Sequence, residues 1–177
     1  MKNLIAFSLI ICLSLLFSCG ALKHIVFYEE FHESGTIPQK PLTSATDTFI
    51  SPAVPTNIEQ QMKANNTSTD LVQSVKLQTL TLTIKAPPGQ TFAALNDVRI
   101  FILTDSLPAI EIAYKHNIVS TSDTLNLDID GTELKPYLIT NSFKMEFITS
   151  NKQAVTTTMT LDVYMKFRFE ANLLAAL

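Results

Sequence analysis

The side chains able to do chemistry are few in this chain and lie far apart. There are three histidines. His24 and His32 share parity in an alternating segment, so a regular strand puts both on one face; a metal ion there would need a third ligand, such as Glu30 or Glu33. The plainer reading is surface histidines at strand ends, and His116 stands alone. Asp128, Asp130 and Glu133 gather carboxylates around Asp130-Gly131. Calcium favours such oxygens, but the EF-hand spacing is missing. A strand ending in an Asp-Gly turn, with Asp130 or Thr132 capping the next helical turn, accounts for them equally. No serine sits in a Gly-x-Ser-x-Gly elbow. A glycosidase would need two carboxylates facing across a cleft, and sixteen acids nominate no particular pair. Tyr28, Tyr114, Tyr137 and Tyr164 fall in segments where tyrosine commonly packs. With no Trp, a sugar-stacking platform is poorly provided. The expectation is no catalytic residues, no metal and no cofactor.

The elements that would position these groups read as strands. From Val155 to Glu170 the odd residues Val155, Met159, Leu161, Val163, Met165, Phe167 and Phe169 are apolar, with Thr157 the exception. The even ones are polar or amphipathic. This period of two puts one face on a core and one in water. Sixteen residues at about 3.3 Å each exceed an ordinary strand, so a bend or change of partner is expected near Thr156–Thr158. Val75 and Leu77 share a face, then Leu80, Leu82 and Ile84 continue one residue out of phase. A bulge near Gln78-Thr79 restores the register. Val98 to Thr104 is apolar on both faces apart from Arg99 and Thr104, as in a central strand covered on both sides. Ile110/Ile112/Tyr114, Leu125/Leu127/Ile129, Phe143/Met145/Phe147 and Ile25/Phe27/Phe31 give further strands.

Punctuation separates them. Pro87-Pro88-Gly89, Asp105-Ser106-Leu107-Pro108 and Asp130-Gly131 are turns. Thr56-Asn57-Ile58-Glu59 has capping-box spacing ahead of a short helix over 57–65, with Ile58 and Met62 on one face. Thr132 to Pro136 can open one helical turn. Residues 33–55, with Gly35 and four prolines, read as an extended loop over the domain. Apolar residues make up 46% of the chain and charged ones 16%, which excludes a disordered body. The expected fold is all-β: a two-sheet antiparallel β-sandwich, immunoglobulin-like or jelly-roll-like, with one or two short helices.

The N-terminus reads as an address. Met1-Lys2-Asn3 precedes an apolar or small-residue run from Leu4 to Phe17, about 21 Å as a helix and short of the roughly 30 Å hydrocarbon core. Leu16-Phe17-Ser18-Cys19 resembles the lipobox of bacterial lipoproteins. The resemblance implies cleavage of a signal peptide over 1–18, lipidation of Cys19, a tether over 19–22 and a single domain over 23–177. Several acyl chains anchor stably without a membrane-spanning helix. Gly20, rather than Asp, argues under the sorting pattern of such lipoproteins against inner-membrane retention. The stretch Gly20 to Lys23 lacks the acidic cluster of a surface-export tag. The expected place is the periplasmic face of the outer membrane. Cys12 would be lost with the signal. The mature chain has twelve Lys and Arg against sixteen Asp and Glu, a net of −4 that offers nothing to nucleic-acid phosphates.

Asn66 to Leu77, Leu80-Thr81-Leu82-Thr83-Ile84, Pro88-Gly89-Gln90-Thr91-Phe92 and Leu107 to Ala113 resemble a group of uncharacterised Bacteroidota-type β-sandwich lipoproteins. The resemblance covers roughly residues 22–150 and implies a fold and an envelope location but no activity. Asp105-Ser106-Leu107 and Asp123-Thr124-Leu125 also resemble the acceptor of periplasmic O-glycosylation in Bacteroidota, with Ser106 the more accessible and Thr124 the second. The functional expectation is a non-catalytic docking or structural module for another envelope component. The face to carry it is Thr158, Thr160, Asp162, Tyr164, Lys166 and Arg168. A lipoprotein binding a glycan or small solute, and a hydrolase of dispersed carboxylates, are the alternatives.

Overall fold

The computed structural model describes residues 23–42 and 46–173. The signal over 1–18, Cys19 and the tether 19–22 lie outside them. Among the described residues, ten strands form two antiparallel sheets. The first has four strands: β1 (His24–Ile37), β10 (Met159–Asn172), β4 (Val72–Ala86) and β7 (Thr124–Asn126), in that spatial order. The second runs β2 (Asp47–Ile50), β9 (Ser142–Asn151), β5 (Leu95–Leu103), β6 (Ile110–Lys115) and β8 (Asp128–Ile129), with β3 (Val54–Pro55) also on β9. The pairings nest: β5 with β6, β4 with β7, β2 and β3 with β9, β1 with β10. A long hairpin rolled across two sheets has this order, so the sandwich is a jelly roll rather than immunoglobulin-like.

Alternation explains which face each strand buries. In β10 every odd residue from Met159 to Ala171 is buried, and every even one is exposed or half-buried. The strand starts at Met159; Val155 makes an isolated bridge to Lys40, just past the end of β1, so the ladder is interrupted across Thr156–Thr158 while the neighbouring segment stays the same. In β4, Leu77 pairs with Phe167 and Thr79 with Lys166, leaving Gln78 as the extra residue. That bulge lets Val75, Leu77, Leu80, Leu82 and Ile84 all reach the core. The core is rich in Phe: Phe31, Phe143 and Phe167 meet edge-on at 5.6–6.3 Å, and Phe27 stacks on Phe169 at 5.1 Å.

Several expectations need correction. Residues 33–55 are not one extended loop: β1 runs to Ile37, and 47–50 and 54–55 pair with β9. Glu29, Glu33 and Gly35 occupy inward positions of β1 and hide its alternation. β5 is central in pairing, but Arg99, Phe101 and Leu103 on its other side are exposed or half-buried, with the Arg99 guanidinium 4.9 Å over the Phe101 ring and no further layer among the described residues. Leu125, Leu127 and Ile129 do not share one strand. The chain crosses from β7 in one sheet to β8 in the other, with Leu127 N–H donating to the Leu80 carbonyl.

Helix α1 (Ile58–Ala64) does bury Ile58 and Met62, but no capping box starts it. Asn57 is left-handed there, and the Thr56 hydroxyl donates to the Thr140 carbonyl instead. Helix α2 (Lys135–Leu138) starts later than its sequence signal, with Pro136 in its first turn. The Glu133 carboxylate accepts from the Lys135 N–H at 2.9 Å and so caps it.

Candidate functional site

The outer face of the four-stranded sheet is assembled from three strands in register. On β10, Thr160, Asp162, Tyr164, Lys166 and Arg168 point away from the core. Thr158 precedes the strand and is engaged with the loop, its hydroxyl accepting from the Gln39 N–H at 3.1 Å. β1 adds Tyr28, Glu30 and His32 opposite Arg168, Lys166 and Tyr164. β4 adds Lys76, Thr79, Thr81 and Thr83 on the other flank.

These side chains lock across strands. Lys166 Nζ lies 2.9 Å from Glu30 and 5.1 Å over the Tyr28 ring. His32 Nδ1 lies 3.2 Å from Asp162, and its ring is 5.0 Å from that of Tyr164. Arg168 pairs with Glu170, which also faces His24 at 3.8 Å. Hydrogen bonds from Lys166 and Tyr164 hold the Glu30 carboxyl below its usual range, and the same Glu30 contact raises Lys166. Tyr28 remains 50% exposed in the middle of this array, beside exposed Val26. The face is therefore polar and aromatic, with its side chains linked from strand to strand.

His24 and His32 do share this face, but eight strand residues separate them by about 26 Å. Each meets its own cross-strand acid, and Glu33 points the other way. Among the described residues no group of three or more His, Cys, Asp or Glu is gathered to hold a metal ion. The Asp128–Glu133 carboxylates diverge. Asp128 takes Lys115 at 3.1 Å, Asp130 accepts from the Thr132 hydroxyl, and Glu133 accepts from Ser74 Oγ and the Val75 N–H. Burial pushes Glu133 up, but those hydrogen bonds, the Lys135 N–H and nearby Lys76 together outweigh it, and the carboxyl sits below its usual range. These Glu133 contacts clamp α2 to β4.

A second polar cluster was invisible in the sequence. Asp97, on β5, accepts from Ser150 Oγ at 2.8 Å, from Asn96 at 2.5 Å and from the Asn117 N–H at 3.3 Å, and His116 Nδ1 lies 3.1 Å away. Burial raises the Asp97 carboxyl, and these four contacts outweigh it and lower it. Serine and histidine both bond the aspartate, not each other. The geometry of a nucleophile with its base is thus missing, and the cluster ties β9 and the 116–117 turn to β5.

Glu29 and Glu33 face inward on β1, which is a sheet edge. Inward charges on an edge strand resist pairing with other chains. Burial alone raises both carboxyls. A raised carboxyl favours folding below its unfolded value of 4.5 and loses that contribution as pH rises through the folded value. Glu29→Gln and Glu33→Gln are therefore expected to raise the unfolding midpoint at pH 7, with the gain fading by pH 4. Asp97→Asn should do the opposite at pH 7, since a lowered carboxyl stabilises above its unfolded value. Urea midpoints from pH 4 to 8 check both signs.

No protein-family model matches the chain, and no curated protein matches it in sequence. Among solved structures it is similar to the BFDV capsid protein in its 60-mer form, at 7% identity and TM-score 0.46, over 88% of this chain and 96% of that one. It is also similar to Desmodium yellow mottle tymovirus, at 12% identity and TM-score 0.32, over 88% and 93%. A third likeness, to the infectious bursal disease virus Gx strain, has 12% identity and TM-score 0.35, over 87% of this chain and 38% of that one.

Proposed function

We propose that this chain is a lipid-anchored lipoprotein on the periplasmic face of the outer membrane, and that it docks another envelope protein without catalysis, through the outer face of the β1-β10-β4 sheet. The observation that supports the docking is the ion-paired array around Tyr28. Its side chains are ordered by cross-strand contacts, so a partner would lose little conformational entropy there. Cys19 stands five residues before His24, a reach of at most about 18 Å. Lipidation at Cys19 would hold the His24 end of the face near the bilayer and restrict partners to proteins at the membrane surface. No helix among the described residues is long and apolar enough to cross a membrane.

Two measurements test this. Cys19→Ser is expected to move the protein into the soluble fraction; retention at wild-type level in high salt refutes the lipid anchor. A photocrosslinking residue at Thr160 should give one discrete protein adduct in native envelopes, weakened by Lys166→Glu, while the same residue at Thr48 on the other sheet gives none. Equal adducts from both positions refute the face.

A glycan reading draws on Tyr28 and Tyr164 lying on one face. It requires soluble oligosaccharide to bind and Tyr28→Ala to abolish the binding. The hydrolase reading lacks a paired acid: the cavity between the sheets holds one carboxylate, Asp47, already bonded to Lys40 at 2.5 Å. For O-glycosylation the better acceptor is Ser106, exposed in its turn. Thr124 lies within β7, paired with Thr83, and its hydroxyl donates to Asp123.

A further inference from the structure

An inter-sheet cavity of about 270 Å³ opens at the edge where the end of β1 meets β2. Interiors normally pack to a density near 0.74, with few voids larger than a water molecule. The floor is built from both sheets: Leu82 of β4 and Leu161 of β10 face Val98 of β5 and Phe147 of β9, all buried. Thr36, Asp47 and Thr48 lie at the mouth, where the Asp47–Lys40 pair neutralises the one carboxylate.

Between mouth and floor lies Thr149, only 9% exposed. It pairs with Asp47 across β2 and β9, and its hydroxyl has no hydrogen-bond partner among the described residues. The hydroxyl is not sealed from solvent, since among the described residues the fully buried side-chain polar atom without a partner is Asn151 Oδ1. The Thr149 hydroxyl lines the cavity open to a ligand's polar atom, and a ligand that covers it without bonding it would desolvate it at a cost.

We propose that this cavity is a binding site for a small uncharged amphiphile: a single ring or short aliphatic body with one hydroxyl or carbonyl that bonds Thr149. Size sets the class. A cavity of about 150 Å³ takes one benzene, so this one takes a body roughly half as large again or more. Chemistry narrows it further. A sugar would leave most of its hydroxyls unpaired against Leu82, Val98, Phe147 and Leu161, each at a desolvation cost. A carboxylate would lose its hydration against the same apolar floor, where the nearby Lys40 is already engaged with Asp47. The site is separate from the outer face of the sheet and stands whether or not that face docks a protein.

The test uses the full chain carrying Cys19→Ser, with labelled methyl groups, titrated with 4-ethylphenol, ethylbenzene and glucose. The first two are expected to shift the methyls of Leu82, Val98 and Leu161 saturably, and glucose to shift none. Thr149→Val keeps the side-chain shape. It should weaken 4-ethylphenol about five-fold, the net worth of one hydrogen bond, and leave ethylbenzene unchanged. Val98→Phe fills the space and should abolish both. Absence of saturable shifts at these methyls, or affinity that survives in a folded Val98→Phe protein, overturns the site. Equal weakening of both ligands by Thr149→Val overturns the hydroxyl as the anchor, and that variant gives the answer if Val98→Phe does not fold.

Discussion

Phe167→Ala is expected to lower the unfolding free energy by about 3–5 kcal/mol, the range for removing a large aromatic from a packed core. Phe167 is fully buried at the middle of β10, edge-on to Phe31 of β1 at 5.7 Å and to Phe143 of the facing sheet at 6.3 Å. Its removal opens a void touching both sheets, where no neighbour can close in without moving a strand. Lys166 and Arg168, one residue to either side, point outward. The Lys166–Glu30 pair is solvent-exposed, and such pairs contribute about 0–1 kcal/mol. Ala at either position should therefore cost under about 1 kcal/mol. Against a typical total of about 5–15 kcal/mol the contrast is large. Denaturation midpoints for single Ala variants across 161–169 should fall at odd positions and hold at even ones. Equal losses at both parities would mean that a second layer covers the face proposed for docking.

How far the sequence carries depends on the range of the interactions. Alternation in β10 and β9 is local, set by which side of one strand meets the core, and it reads directly. The jelly-roll connectivity is not local. It rests on β1 finding β10 and β2 finding β9 across most of the chain, and both sandwich topologies share the same alternation. β1 was half hidden because Glu29, Glu33 and Gly35 stand where apolar residues would have announced it, and β2 and β3 are too short to show a period. The face proposed for docking was half legible. Its β10 row follows from parity, but Tyr28, Glu30 and His32, which fix that row in place, come from a strand more than a hundred residues away. Asp97 with Ser150 and His116, and Thr149 with the cavity floor, are products of cross-strand register and carry no sequence signal.

The phase slip in β4 is the sequence feature with the sharpest consequence. Deleting Gln78 is expected to leave a folded protein, whereas deleting Thr81 should remove most of its stability. Gln78 is exposed and has no residue opposite it: Leu77 keeps Phe167 and Thr79 keeps Lys166 when it is gone. The strand becomes a regular alternation with Val75, Leu77, Leu80, Leu82 and Ile84 still inward, and only the local twist of the bulge is lost. Thr81 is different. If the bulge stays, its loss turns Leu82 and Ile84 to solvent and Thr83 inward. If the bulge is absorbed to compensate, Leu80 turns outward and Thr79 is buried. The cheaper path still exposes one fully buried leucine, about 1.5–3 kcal/mol, and buries a hydroxyl, about 1–3 kcal/mol more. Thr81 also donates to Asn126 on β7 at 2.8 Å, so the edge of the sheet loosens as well. Urea unfolding of the two deletions, with circular dichroism to confirm strand content, separates them. Similar losses in both would show that the bulge itself, rather than the inward phase it preserves, is what β4 requires.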